Sequence, residues 1–230
     1  MLRRAAIEAA GGWQHDTLTE DTDLSYRAQL QGWKFIYLPE VECPSELPVE
    51  MNAFKAQQAR WAKGLVQTAK KILPRVWRAR LPWRVKLEAF YHLTAPISYP
   101  LMVALSVALL PAMIIRFYQG WWHMLWIDLP LFLIACCSVS SFYLVAQKEL
   151  YPRTWKRTFL FLPLLMAVGI GVAVRNAKAV LEALAGIQSP FQRTPKYCIE
   201  QPSAAASTPA GEPWFLKVYR RRAGWVPWVE

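Results

Sequence analysis

The chain has 230 residues, is 54% apolar with twelve tryptophans, and carries a formal charge of +11. Its length allows one or two domains of ordinary size, and so large an apolar fraction excludes an intrinsically disordered chain. Residues 1–50 hold four basic and nine acidic groups, residues 51–90 ten and one, and residues 91–230 thirteen and six; the basic excess is therefore local, and belongs either to a nucleic-acid stripe or to a membrane edge.

The start, Met1-Leu2-Arg3-Arg4, runs into a mixed helix over residues 3–10 rather than into the apolar core of a signal peptide, and Gly11-Gly12 ends that helix. A second helix is expected over residues 22–31, with Leu24, Ala28 and Gln31 on one face and Gly32 as its stop. WKFIYLP, residues 33–39, reads as a short strand followed by turn chemistry in ECPSELP. Residues 50–72 have the spacing of a long basic amphipathic helix.

Between Glu88 and Arg116 lie 27 residues without Asp, Glu, Lys or Arg, longer than the roughly 20 a helix needs to cross the hydrocarbon core. Pro96, Pro100 and Pro111 in this run are tolerated in membrane helices. A second run of 19 residues follows Asp128. Between the two, FYQGWWHMLW places Trp121, Trp122 and Trp126 as an interfacial belt. Lys70, Lys71, Arg75, Arg78, Arg80, Arg84 and Lys86 precede the first run, and Lys148, Arg153, Lys156 and Arg157 follow the second. The positive-inside rule puts both flanks in the cytoplasm and the Trp-rich turn outside. Membrane topology thus accounts for the charge, and a nucleic-acid partner is not expected. A third apolar run, Thr158 to Val174, has basic residues on both sides; this favours an interfacial or re-entrant helix over a third crossing. Residues 201–213 are low in complexity and read as a flexible loop, and the aromatic, basic end (residues 214–230) reads as interfacial. Cys43, Cys136, Cys137 and Cys198 have no metal-ligand spacing and read as small apolar fillers in a reducing compartment.

Three stretches could carry chemistry. In His15–Asp23 the string Thr19-Glu20-Asp21 is one; its bland explanation is that Thr19 or Asp21 caps the next helix. Asp21-Thr22-Asp23 also matches a metal-binding D-x-D, although no apolar strand precedes it. The second is Gln57, Arg60 and Trp61, which share one side of the basic helix; they could equally be headgroup anchors. The third is the loop Phe191-Gln192-Arg193-Thr194-Pro195-Lys196, otherwise a basic solvated turn.

Taken together, T-E-D, then Q-x-x-R-W about forty residues on, then two apolar runs, then F-x-x-T-x-K strongly resembles the C-terminal half of processive family 2 glycosyltransferases, the membrane enzymes related to cellulose synthase. The wording DTLTEDTDLSYRAQLQGW, MNAFKAQQARWAKG and FQRTPKY is most similar to the glucomannan (mannan) synthase-like branch. The resemblance implies an α-helical membrane region attached to a truncated α/β (GT-A, Rossmann-like) glycosyltransferase domain. It implies that Asp21 is the general base, positioned by Glu20 and Thr19. Gln57, Arg60 and Trp61 would contact the donor diphosphate and the acceptor sugar, and Phe191, Thr194 and Lys196 would close over the nucleotide. Arg193 stands where the family often has Val. A UDP- or GDP-hexose donor, a polysaccharide acceptor, the lipid bilayer and a Mg or Mn ion are the implied partners. The implied location is multi-pass in the inner or plasma membrane with the catalytic side cytoplasmic.

On this reading residues 1–50 are the C-terminal remnant of a cytoplasmic GT-A domain and residues 51–90 are basic interfacial helices. Residues 91–147 are two transmembrane helices, and residues 148–200 hold the interfacial or re-entrant helix and the gating loop. Residues 201–230 are the loop and aromatic end. The family's nucleotide-binding Asp and metal-binding D-x-D lie upstream of T-E-D, so the chain alone is expected neither to bind nucleotide sugar tightly nor to turn over. A non-processive polyprenyl-phosphate glycosyltransferase and a non-catalytic scaffold or transport subunit are the competing functions. The enzymatic reading requires Asp21 to be exposed and close to Trp61.

Overall fold

The structure, a computed structural model, describes residues 2–191 apart from 39, 40, 42, 44, 46, 49, 120, 121 and 123. Thr194, Lys196, residues 201–213 and the aromatic end therefore lie outside the described residues. The chain forms two compact units, Met1–Pro100 with Val174–Glu230, and Leu101–Ala173.

In the first unit α1 is Arg4–Ala9, α2 Glu20–Leu30, α3 Met51–Arg78, α4 Trp83–Thr94 and α8 Ala173–Leu184, which begins one residue inside the other unit. Helix α3 organises the rest. Its Ala62, Val66, Ala69, Ile72 and Val76 are buried at intervals of three and four, the spacing of one helical stripe. Ala69, Ile72 and Val76 pack on Ala89 and Leu93 of α4. Ala62 and Val66 pack on Val180 and Ala183 of α8. Leu24 and Ala28 of α2 cluster with Ala10, flanked by Ile7 and Trp33.

Helix α3 runs through Pro74 to Arg78 instead of ending near residue 72. A proline inside a helix costs about 3 kcal/mol. Ile72 and Val76, both fully buried on either side of it, offset that, since burying one such side chain contributes about 1.5–3 kcal/mol. Helix α2 starts at Glu20, two residues earlier than its apolar pattern alone suggests.

The expected strand is corrected. Residues 33–38 have no regular structure, and the described residues contain no strand. A strand is stable only when its backbone groups pair with a neighbour, and no described segment offers one. Phe35, Ile36, Tyr37 and Leu38 are consequently exposed. The α/β character expected of residues 1–50 is thus not present among the described residues; this part is helical.

The acidic and basic segments meet through Lys71 of α3. Its Nζ donates to Gln14 Oε1 at 2.6 Å and to Asp16 Oδ1 at 2.8 Å, and forms an ion pair with Asp23 Oδ1 at 3.0 Å.

The second unit holds most of α5 (Ser98–Gln119), then α6 (Leu129–Leu150) and α7 (Thr158–Gly171). Two helical stretches, Trp83–Tyr118 and Leu129–Leu150, are long and apolar enough to cross a membrane. Leu105, Val107, Leu131, Phe132 and Phe142 stand exposed along them, as lipid-facing side chains would. The third apolar run does not form one straight helix. It breaks at Val172, and its 14-residue α7 is too short to cross alone. Trp122 and Trp126 are exposed near the turn between α5 and α6, where Arg116 pairs with Asp128.

Candidate functional site

The T-E-D string enters α2 under tight constraint. Leu18 N–H donates to Gln67 Oε1 at 3.0 Å, and Thr19 and Thr68 share a hydroxyl–hydroxyl hydrogen bond of 3.2 Å. Thr19 is the N-cap residue of α2 but makes no side-chain capping bond, so the capping explanation of Thr19 is not realised; its hydroxyl is held by α3. Gly64 of α3 lies beneath it. A Cβ at position 64 would stand 2.5 Å from Thr19 Cγ2 and 2.8 Å from Thr19 N and Oγ1.

Sequence reasoning passed over Gly64, although a glycine inside a helix, costing about 1 kcal/mol against Ala, is itself a signal of close approach. Gly64→Ala would recover that propensity but drive a methyl into backbone that cannot move cheaply. Overpacking of this kind costs about 1–3 kcal/mol. We expect Gly64→Ala to lower the melting midpoint in detergent, with partial recovery on adding Thr19→Ser, which deletes the closest contact. A variant as stable as wild type would refute the constraint.

Beyond Thr19, Asp21 is exposed in the first turn of α2, where the helix dipole favours a carboxylate. Its Oδ1 accepts the Thr22 N–H at 2.7 Å. A cavity of about 320 Å³ opens beside it, lined by Thr19, Glu20, Asp21, Arg60, Trp61 and Phe191, with Leu18, Thr22, Leu65 and His92 completing the wall. Trp61 is 45% exposed and available to a ligand. The Arg60 guanidinium lies 4.7 Å from the centre of the Phe191 ring, a cation–π contact. Arg60 Nε is buried and lacks a hydrogen-bond partner among the described residues. Six of the nine site residues named from the sequence therefore meet. Gln57 does not line this cavity, and Thr194 and Lys196 lie outside the described residues.

A second cavity of about 440 Å³, between α2 and α4, shares Asp21, Thr22 and His92 with the first. Ser25, Tyr26, Gln29 and Glu88 supply its other polar groups, and it has no Lys or Arg in its lining. Tyr26 OH and His92 Nδ1 are hydrogen-bonded at 2.7 Å, with their rings stacked. Burial, and secondarily the charge of Glu88, push the Tyr26 hydroxyl above its ordinary pKa, so it stays protonated at neutral pH. His92 was not evident in sequence because it is a lone histidine between Tyr91 and Leu93.

The D-x-D string does not act as a metal pair. Asp23 is fully buried, with Oδ2 accepting from Arg27 Nε at 2.8 Å, while Asp21 is exposed. Residues two apart on a helix do not share a face. No group of three or more His, Cys, Asp or Glu suited to a metal occurs among the described residues. These residues do not fit a Mg or Mn site.

Comparison with known proteins places this geometry in context. The family model described as "Glycosyl transferase family group 2" matches residues 1–174. Glucomannan 4-beta-mannosyltransferase 1 of Oryza sativa subsp. japonica is 41% identical over 92 residues, 39% of this chain and 18% of that protein. Probable glucomannan 4-beta-mannosyltransferase 11 of the same organism is 49% identical over 71 residues, 31% of this chain and 12% of that protein. Glucomannan 4-beta-mannosyltransferase 2 of Arabidopsis thaliana is 46% identical over 76 residues, 33% and 14% of the two chains. The chain thus matches less than a fifth of the length of these curated relatives. No solved structure matches it.

Proposed function

Because the chain belongs to glycosyl transferase family group 2, we propose that it carries the acceptor-facing and membrane part of an inverting hexosyltransferase that extends a β-glycan from a UDP- or GDP-hexose. The observation that carries this is the meeting of Asp21, Arg60, Trp61 and Phe191, drawn from three distant stretches of sequence, around one cavity. The names of the relatives make mannose the first sugar to test.

An acceptor hydroxyl attacks the anomeric carbon of the donor, the bond to the diphosphate oxygen breaks, and configuration inverts. Asp21 takes the hydroxyl proton as the new bond forms; Glu20 and Thr19 set its position. Arg60 balances charge gathering on the departing nucleoside diphosphate. Trp61 offers a sugar ring an apolar face, and Phe191, stacked on Arg60, covers the nucleotide side of the cavity; Thr194 and Lys196, to which the resemblance gives the same task, lie outside the described residues. Of the two cavities that share Asp21, one sets the Arg60 guanidinium beside Glu20 and Asp21 and so offers the diphosphate a cation; the other, with Glu88 and no Lys or Arg in its lining, suits a neutral saccharide better than a polyprenyl phosphate. The Mg or Mn ion implied by the resemblance, like the tight nucleotide site, calls for ligands other than the described residues. Trp83–Tyr118 and Leu129–Leu150 would cross the inner or plasma membrane, and their basic flanks would face the cytoplasm.

The test is sugar transfer by the gene's full product in membrane vesicles. Labelled hexose from GDP-mannose, GDP-glucose or UDP-glucose should enter a polymer that a β-glycanase digests. Absence of both incorporation and nucleoside diphosphate release with every donor would overturn the proposal.

A further inference from the structure

Lys63 is 3% exposed, an uncommon state for a lysine. Its Nζ forms an ion pair with Glu182 Oε2 of α8 at 2.7 Å and donates to Ser189 Oγ at 2.5 Å. The Glu182 contact alone would be an ordinary tie between α3 and α8. The Ser189 contact is different, because α8 ends at Leu184 and Ser189 lies beyond the turn at Gly186, where φ is +79°. The docking of α8 does not depend on it: Lys70 Nζ already donates to the Leu184 carbonyl at 3.0 Å, and Val180 and Ala183 are buried against α3.

Ser189 stands two residues before Phe191, the first residue of F-x-x-T-x-K, and Pro190 lies between them. Proline fixes its own φ and restricts the residue before it to extended conformations. Two residues span at most about 7 Å. Holding Ser189 therefore confines Phe191 to a small region, and the ring is found on Arg60. Lys63 is three residues from Arg60 on the same helix, a spacing that makes the two neighbours on its surface.

We infer that Lys63 is a positioning residue: through Ser189 it holds Phe191 against the same turn of helix that presents Arg60 and Trp61, and so sets the register of the Phe191 ring over the nucleotide side of the cavity. The register role rests on the proposed glycosyltransfer; the anchoring itself does not.

The test compares Ser189→Ala and Ser189→Thr in the full protein in detergent, since removing a buried lysine could unfold it. Ser189→Ala leaves the Lys63–Glu182 pair intact. It should speed amide exchange at residues 187–191 about five- to tenfold while exchange in α8 stays unchanged. It should also raise the KM for the nucleotide sugar, and the Kd of UDP or GDP, about three- to tenfold with kcat little altered. Ser189→Thr, which keeps the hydroxyl, should restore both. Unchanged exchange at 187–191 overturns the anchor. Faster exchange with unchanged KM and nucleotide affinity overturns the positioning role. A wild-type protein that transfers no sugar and binds neither nucleotide sinks the proposed function and the register role with it, while the exchange measurement still decides the anchor.

Discussion

Asp21→Asn is expected to lower sugar incorporation by about 10²–10⁴-fold, the usual contribution of a general base, with expression and nucleoside diphosphate affinity unchanged. The substitution preserves size and an oxygen for the contact with the Thr22 N–H but removes the carboxylate proposed to accept the acceptor's proton. Specificity comes from comparison with Glu20→Gln. Glu20 lines the same cavity and carries the same charge, so loss of electrostatics alone would make the two variants alike, whereas loss of the base makes Asp21→Asn far worse. Incorporation above a tenth of wild type in Asp21→Asn membranes would remove Asp21 from the reaction.

Asp23→Ala, two residues along, should cost stability instead. Asp23 is fully buried and Arg27 is 4% exposed. Arg27 also donates to the Ala10 carbonyl, so the pair ties the end of α1 to α2, and through Lys71 to α3. Deleting the carboxylate strands Arg27 without its counter-ion and removes one partner of Lys71, a situation that costs about 3–5 kcal/mol. For a chain of this size that corresponds to roughly 6–20 °C in melting midpoint. Replacing Asp23, Arg27 and Lys71 together by Leu, Met and Met should restore most of the loss, because a buried ion network can be exchanged for apolar packing at little cost. A single Asp23→Ala variant that melts within 2 °C of wild type, at the low end of that scale, would show that the network does not hold α2.

The same network has a predictable acid limit. Partial burial raises the Asp16 carboxyl, but the hydrogen bond and charge of Lys71 outweigh it and hold the group below its ordinary value. A depressed carboxylate contributes stability that is complete above its unfolded pKa, about 3.9, and is lost as pH falls through the lower folded value. Acid release of Asp16 therefore belongs below about pH 4, outside the range in which transfer would be assayed.

Much of the architecture was legible in the sequence because it depends on neighbours along the chain. A run of 27 uncharged residues, the three-and-four spacing of Ala62, Val66, Ala69, Ile72 and Val76, and basic clusters beside apolar runs are local patterns, and they place α3 and the two membrane-length helices. Motif order pointed to the family for the same reason. The strand expected over residues 33–39 failed where local propensity was insufficient, since a strand is completed by a partner and not by its own side chains.

What only the tertiary structure decided lies in contacts across long separations, where no periodicity exists to be read. Asp21 and Asp23 look equivalent as letters, yet one faces a cavity and the other anchors Arg27 and Lys71, because a helix turns them to different sides. Thr19 resembles a cap, yet its hydroxyl is held by Thr68 and its backbone lies against a glycine 45 positions away. Arg60 and Phe191 meet over 131 residues of chain only because α8 packs on α3 and returns the loop to it. Burial against a particular neighbour selects among the roles a residue type permits, and that neighbour is supplied by the fold.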